Sequence, residues 1–225
     1  MNVITEDFIP SKPAKALIVG HDPTLQNSSD QALCALYANY YFEEVPKSGR
    51  ELSKYNLAKS TFEQIVDLTN GTIDSSEMYV TNLCNVKLSR KKGGSVVWIP
   101  EDKARDGVER IRRILEDYPS IEYVFPMSLQ VNYWLQKLGF YDSKDSFLED
   151  SEPIQSGIEQ LCFLPKKRKT FLMICGKQYQ VIGGTGQIVV PTLHSKNYPI
   201  KGRFAAYSDC YQKAREFFRA SVSKK

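Results

Sequence analysis

The chain has 225 residues, of which 42% are hydrophobic and 25% are charged. This composition excludes a disordered or collagen-like protein, and the length suits one domain spanning residues 1–225. The 30 Lys and Arg residues against 26 Asp and Glu residues leave a net charge of +4. Such a mild excess is compatible with nucleic-acid binding but does not require it.

Two exclusions concern membranes and metal. No stretch of the sequence approaches the roughly 20 apolar residues that span a bilayer. The first ten residues carry acids where a signal peptide has a basic start. The five cysteines include no C-x-x-C pair and fit neither a disulfide framework nor a zinc ribbon. We therefore expect a cytoplasmic protein with reduced thiols and no membrane partner.

The first predicted strand is residues 16–19, a continuous apolar run that ends at Gly20. Runs that are apolar on both faces are typical of a central parallel strand covered by helices. A helix capped by Ser28 is predicted next. Its inward residues recur at helical spacing: Leu33, Leu36, Tyr37 and Tyr40.

Two more helices are predicted on either side of a second strand at residues 78–81, which runs into Asn82. The first ends near Gly71, and Pro100 opens the second. Apolar residues define the buried faces of these helices: Ala58, Phe62, Ile65 and Val66, then Val108, Ile111 and Leu115. Polar residues of the later helix are expected to face water: Arg110, Arg112, Arg113 and Glu116.

A third strand is predicted at residues 121–125, followed by a helix that Ser128 caps. Residues 171–175 and 179–182 predict a β-hairpin around Gly176. A final strand is predicted at 187–193 and a terminal helix at 205–220. The glycine-rich segment 183–186 lacks the Lys-Ser/Thr ending of a phosphate loop, so a hairpin connection is the better interpretation.

Strands that alternate with helices predict an α/β sheet with right-handed crossovers. Residues 142–186 form an expected elaboration on this core. Ligands of open α/β sheets bind at the carboxyl ends of the strands. Three such ends carry polar groups that we expect at one rim: Asp22 after the first strand, Asn82 after the second and His194 after the last.

The residues at these three ends carry a family resemblance. ALIVGHDPTLQ resembles the first motif of the uracil-DNA glycosylase superfamily, MYVTNLCN the second and VVPTLHSKNYP the third. The motifs occur in the family's order, and the ordered set is more specific than any one of them. The resemblance implies a three-layer α/β/α fold with a short parallel four-stranded sheet, to which the chain adds the small β-hairpin.

The resemblance implies a hydrolase of base excision repair that flips a damaged base, most often uracil, out of DNA and cleaves its N-glycosidic bond. Asp22 would hold the attacking water and stabilise the sugar cation. His194 would hydrogen-bond the departing base as negative charge develops on it. Asn82 would pair its amide with the N3–H and O4 of uracil, although Asn85 is a competing candidate.

The resemblance also implies contacts to the base and to DNA. The backbone at Gly20 and His21 would line the pocket, and Phe42 or Tyr41 would stack on the base. Thr24 stands where the family usually has a Tyr that blocks the thymine methyl, and H-S-K replaces H-P-S after the last strand. Residues expected near DNA are Ser195, Lys196, Tyr198, Lys201 and Arg203.

These inferences predict a monomeric DNA glycosylase that acts on single- or double-stranded DNA and needs no metal, iron–sulfur cluster or other cofactor. A non-catalytic protein that binds a nucleobase or nucleic acid on the same fold is the main alternative. A small-molecule enzyme of the wider doubly wound class is a third interpretation, because fold alone does not settle function.

Overall fold

The architecture is mixed α/β. The computed structural model describes residues 5–21, 34–45, 48–86, 88, 98–144, 154–156, 160–162, 171–200 and 202–222, with the backbone alone at 154–156, 160–162, 202–204 and 222. The strands are β1 (Ala16–Gly20), β2 (Met78–Asn82), β3 (Tyr123–Pro126), β4 (Ile154–Ser156), β5 (Gln160–Cys162), β6 (Tyr179–Gln180) and β7 (Ile188–Val189). The α-helices are α1 (Gly49–Leu68), α2 (Glu101–Asp117), α3 (Leu129–Lys137) and α4 (Ser208–Val222). Short 3₁₀ helices occupy Ala35–Tyr41, Ser75–Glu77, Ser195–Asn197 and Gly202–Tyr207.

The main sheet has five strands in the order β2-β1-β3-β7-β6. The first four run parallel to their neighbours, and β6 joins the edge antiparallel to β7. The sheet therefore has one strand more than the four predicted. Strands β4 and β5 pair separately as a small antiparallel sheet within the expected elaboration.

Strand β1 lies at the centre of the parallel strands, as its apolar sequence predicts. All five of its residues are buried. It pairs with β2 on one side, where Gly20 is opposite Asn82, and with β3 on the other, where Val19 is opposite Pro126. This register sets the ends of β1 and β2 side by side.

The predicted hairpin around Gly176 is wrong. Residues 171–174 form a helical turn rather than a strand, because a short apolar run does not distinguish a buried strand from a buried turn of helix. Strand β6 instead pairs with β7 across the glycine-rich segment. Gly183 and Gly186 have φ values of +73° and +109°, which glycine adopts without steric cost. The interpretation of 183–186 as a hairpin connection is confirmed.

The other predicted elements differ mainly at their edges. The first predicted helix is a 3₁₀ segment in which Leu36 and Tyr37 have left-handed backbone conformations, and Ser28 and Leu33 lie outside the described residues. The last predicted strand is shorter, with ladder pairing at Ile188–Val189 and an isolated bridge from Thr192 to Met127. The terminal helix is preceded by a 3₁₀ segment.

The amphipathic pattern of α2 predicts its buried face correctly but not the environment of every polar residue. Val108, Ile111 and Leu115 are buried, as predicted. Arg110 does not face water, because its side chain is only 27% exposed and reaches the end of β2. In the part of the chain that the structure describes, no helix combines the length and apolar character needed to cross a bilayer.

Candidate functional site

The carboxyl ends of the four parallel strands form one rim of the sheet. Adjacent ends are joined by backbone hydrogen bonds, from Met127 N–H to the Val19 carbonyl (2.9 Å) and from Thr192 N–H to the Pro126 carbonyl (3.0 Å). Asn82 ends the outer strand on one side, and His194 follows the strand on the other. Three strand spacings separate β2 from β7 by roughly 14 Å, so Asn82 and His194 lie on opposite sides of the rim with β1 and β3 between them.

Asn82 is the most unusual polar residue at this rim. Its side chain is buried, with 1% of the residue exposed. Neither its Nδ2 nor its Oδ1 has a hydrogen-bond partner among the described residues. Asn85 differs, because its Nδ2 donates to Asp7 at 3.1 Å. Of the two candidate amides, only the one at position 82 has both its donor and its acceptor unpaired among the described residues.

Gly20 makes room for this amide. A Cβ atom at position 20 would lie 2.3 Å from Asn82 Oδ1 and 2.9 Å from Leu36 Cγ. Any larger residue would therefore push the amide or the Leu36 side chain away. Gly20 therefore packs directly against the predicted base-reading amide, and its role in lining a base pocket stays a prediction.

The chain after Asn82 is held in place by its main chain. Leu83 N–H donates to the Gly20 carbonyl at 2.8 Å, and Cys84 N–H donates to the His21 carbonyl at 3.1 Å. On the other side, α2 packs so closely that a Cβ atom on Gly107 would lie 1.9 Å from the Leu83 carbonyl oxygen. The segment that carries the amide is thus fixed from two directions.

A charged network beside Asn82 was missed by sequence reasoning. Arg110 of α2 donates through one guanidinium nitrogen to the Asn82 carbonyl and through the other to Asp7 and Thr81. Asp7 is only 17% exposed. Its carboxylate accepts hydrogen bonds from four side chains: Tyr79, Thr81, Asn85 and Arg110.

His194 lies at the other end of the rim, where its backbone contact defines its tautomer. Its Nδ1 accepts a hydrogen bond from the Lys196 backbone N–H at 3.1 Å. A ring nitrogen that accepts carries no proton, so neutral His194 carries its proton on Nε2. That nitrogen is then a donor, which is the polarity needed to stabilise negative charge on a ligand oxygen.

A neutral pair of side chains holds the residue before His194. Gln64 of α1 donates to the Leu193 carbonyl at 2.9 Å and to the Tyr211 hydroxyl. The same hydroxyl accepts from Leu193 N–H at 3.2 Å. Gln64 and Tyr211 are 0% and 1% exposed, and burial raises the pKa of the Tyr211 hydroxyl well above its ordinary value.

The residues expected near DNA follow His194 directly. Ser195 is fully buried, and its Oγ has no partner among the described residues. Lys196 is exposed. Tyr198 donates its hydroxyl to Asp67 of α1 at 3.2 Å. Burial, and then the neighbouring Asp67 carboxylate, raises the pKa of Tyr198. The tyrosine is thus attached to α1 instead of pointing away from the protein.

The two aromatic candidates belong to a cluster of rings near the N-terminal segment. Phe42 is 49% exposed and stacks on Phe8, with ring centroids 5.2 Å apart. Tyr41 packs against Phe62 at 4.6 Å. Phe42 is therefore the more accessible of the two rings, although one of its faces is covered by Phe8.

Comparison with known proteins assigns no family. No protein-family model matches the chain, and no curated protein matches it. The functional argument therefore depends on the chemistry of the rim itself.

Several predicted site residues cannot be placed at this rim. Asp22, Thr24 and Lys201 lie outside the described residues, and Arg203 is described by its backbone alone. The described residues bring Gly20, His21 and Asn82 together and set His194 across the rim from them. Within the described ranges, no group of three His, Cys, Asp or Glu side chains could share a metal ion.

Proposed function

We propose that this chain is a DNA glycosylase that excises a flipped-out damaged base, most often uracil, with a fold of the uracil-DNA glycosylase type. Two observations support the proposal. The three motif-bearing strand ends lie on one edge of a parallel sheet, and the residues at two of those ends have the polarity that base recognition requires.

The buried, unpartnered amide of Asn82 is the observation that carries the proposal. A buried polar group without a partner costs about 1–3 kcal/mol, and Asn82 has two such groups. A uracil edge would satisfy both, since its N3–H donates to Oδ1 and its O4 accepts from Nδ2. Cytosine presents the donor and the acceptor in the opposite order, so the same amide orientation would reject it.

His194 supplies the second half of the chemistry. Cleavage of the N-glycosidic bond leaves positive charge on the sugar and negative charge on the base. A neutral imidazole that donates from Nε2 stabilises an oxygen of the departing base without binding the neutral base as strongly. Asp22, by resemblance, would orient the water and offset the positive charge on the sugar.

The proposal is tested by excision from labelled oligonucleotides that contain uracil, hypoxanthine or xanthine, followed by alkaline cleavage of abasic sites. We expect uracil release by the wild type and a loss of roughly tenfold to hundredfold in Asn82→Ala, as two hydrogen bonds to the base are removed. Asp22→Asn and His194→Ala should also lose activity.

Asn56→Ala is the matched control, because Asn56 lies exposed on α1. This variant should retain wild-type activity. If the wild-type protein leaves every substrate intact, or if Asn82→Ala excises uracil as fast as the wild type, the glycosylase proposal is overturned.

A second candidate, a non-catalytic protein that binds a nucleobase, is favoured by one observation. The Tyr198 hydroxyl is bound to Asp67, which holds the expected DNA wedge against α1. Binding of free uracil, measured by calorimetry and abolished in Asn82→Ala, combined with no excision of any base, would support this candidate. Binding of DNA with a steep salt dependence would indicate a nucleic-acid partner.

A further inference from the structure

We propose that Arg110, held by Asp7, is a positioning residue for the Asn82 amide. This inference rests on the proposed function, because it assumes that Asn82 reads the base. Arg110 itself lies on α2 behind the rim and is not expected to touch the substrate.

The first step in the argument is the geometry of the guanidinium. One of its nitrogens donates to the Asn82 carbonyl, while the other donates to Asp7 and to Thr81 Oγ1. Asp7 Oδ1 and Oδ2 lie 3.1 and 3.3 Å from that second nitrogen. The planar fork of arginine thus joins the N-terminal segment, α2 and the last residue of β2 in a fixed arrangement.

The second step is that the network leaves little freedom to its members. Thr81 Oγ1 donates to Asp7 at 2.6 Å, and the Tyr79 hydroxyl donates to the same carboxylate at 3.1 Å. An ion pair taken largely out of water, like this one, is often no more stable than well-packed apolar residues would be. We therefore infer that this network determines where the Asn82 main chain lies, beyond what it contributes to stability.

The third step links the main chain of Asn82 to its side chain. Leu83 N–H is held by Gly20, and the Leu83 carbonyl lies against Gly107. With the Asn82 carbonyl held by Arg110, the peptide groups on the C-terminal side of the Asn82 Cα have little freedom to rotate. The direction of the Asn82 Cα–Cβ bond is then set before a base arrives, and the close packing of Asn82 Oδ1 against Gly20 limits the remaining side-chain freedom. Such preorganisation is what selective recognition needs.

The substitutions follow from the donor geometry. Arg110→Met keeps an unbranched apolar stem and removes every donor. Arg110→Lys keeps the charge beside Asp7 but has no planar fork to serve Asp7 and the Asn82 carbonyl together. Arg113→Met is the matched control, since Arg113 lies exposed one turn further along α2.

The first measurement is independent of activity. In a ¹⁵N-labelled protein, the side-chain amide resonances of Asn82 are assigned by their loss in Asn82→Ala. We expect Arg110→Met and Arg110→Lys to shift or broaden these resonances, while Arg113→Met leaves them in place. Unchanged resonances in Arg110→Met would overturn the positioning role, whether or not the protein excises uracil.

The second measurement tests the functional consequence. We expect Arg110→Met to lower kcat for uracil excision by about tenfold, with less than about a twofold change in KM, because it acts on the orientation of the bound base. In the Asn82→Ala background the same substitution should add less than about a twofold loss, since it acts through that amide. Independent, additive losses would contradict the inference.

Arg110→Lys separates positioning from a purely structural role. A structural ion pair would be rescued by lysine in both stability and activity. We expect lysine to restore most of the melting temperature lost in Arg110→Met while excision stays reduced. If the wild type shows no excision at all, the proposed function fails, while the amide resonances still decide the positioning role.

Discussion

The two ends of the rim are supported in opposite ways. Behind Asn82, an ion pair holds the main chain, and its side chains keep some contact with water, at 27% exposure for Arg110 and 17% for Asp7. Behind His194, two neutral and fully buried side chains, Gln64 and Tyr211, hold both polar groups of Leu193. The same task, fixing one residue at a strand end, is performed by charge on one side and by neutral hydrogen bonds on the other.

The difference reflects where each support lies in the fold. Arg110 comes from α2 and meets the N-terminal segment at the outer edge of the sheet, where water still reaches the pair. Gln64 and Tyr211 come from α1 and α4, which pack against each other. A charge there would have to be buried completely, at a cost of several kcal/mol. Neutral donors and acceptors avoid that cost.

The largest expected effect comes from removing the acid of the charged support. Asp7→Ala leaves four donors without their acceptor, and one of them is charged, so we expect a loss of about 3 kcal/mol in the free energy of unfolding. Urea denaturation measures it. Asp106→Ala, on the exposed face of α2, should change stability by less than about 0.5 kcal/mol. Equal stabilities of the two variants would show that the charged support contributes nothing.

A smaller loss is expected where the amide meets the sheet. Gly20→Ala introduces a Cβ atom 2.3 Å from Asn82 Oδ1, and the overpacking should cost about 1–3 kcal/mol. The variant should also bind free uracil more weakly, because the amide must move. A calorimetric titration checks this, and undiminished affinity would mean that the amide does not contact the base.

Weakening the neutral support of Gln64 and Tyr211 should lower the free energy of unfolding less than removing Asp7 from the charged support. Tyr211→Phe removes one hydroxyl that accepts from Leu193 N–H and from Gln64, so we expect a loss of about 1–2 kcal/mol. Thermal unfolding of Tyr211→Phe measures it, with Tyr118→Phe as the control, since Tyr118 is a half-buried tyrosine at the end of α2. A loss larger than that of Asp7→Ala would reverse the order of the two supports.

The smallest effect concerns a thiol pair behind the His194 end. A hydrogen bond from Cys175 lowers the pKa of Cys210 to about 7, while burial raises that of Cys175. Because the thiolate reacts, alkylation of Cys210 should rise with pH, reach half of its maximal rate near pH 7 and level off above it. Peptide mass spectrometry measures the rates. In Cys175→Ala the midpoint should move towards the ordinary value of 9.0; an unmoved midpoint would exclude the hydrogen bond as its cause.

The sequence predicts the parts of the fold that depend on local pattern. The apolar run of β1 and the polar residues after β1 and β2 are short-range signals, so the central strand could be located and its end proposed as a site. The helical turn at 171–174 was mistaken for a strand because its apolar run is too short to show a period. The contact of Phe42 with Phe8 joins distant segments and has no signal in the local sequence.

Both supports have a signal in the sequence. Gln64 lies three residues after Thr61 and four before Leu68, so a polar residue occupies the buried face of α1. Arg110 follows Gly107 by three residues, and a glycine inside a helix indicates a close approach of another backbone. Such patterns show that a polar residue faces inward, but its partner is fixed only by tertiary packing.

Because Gly107 packs directly against the Leu83 carbonyl, the absence of a side chain at position 107 sets the distance between α2 and the end of β2, and with it the geometry of the rim. A single methyl group added there would lift the helix from the strand and carry the guanidinium away from its target. A position remote from any ligand is therefore as restricted in its choice of residue as the groups that would meet the ligand directly.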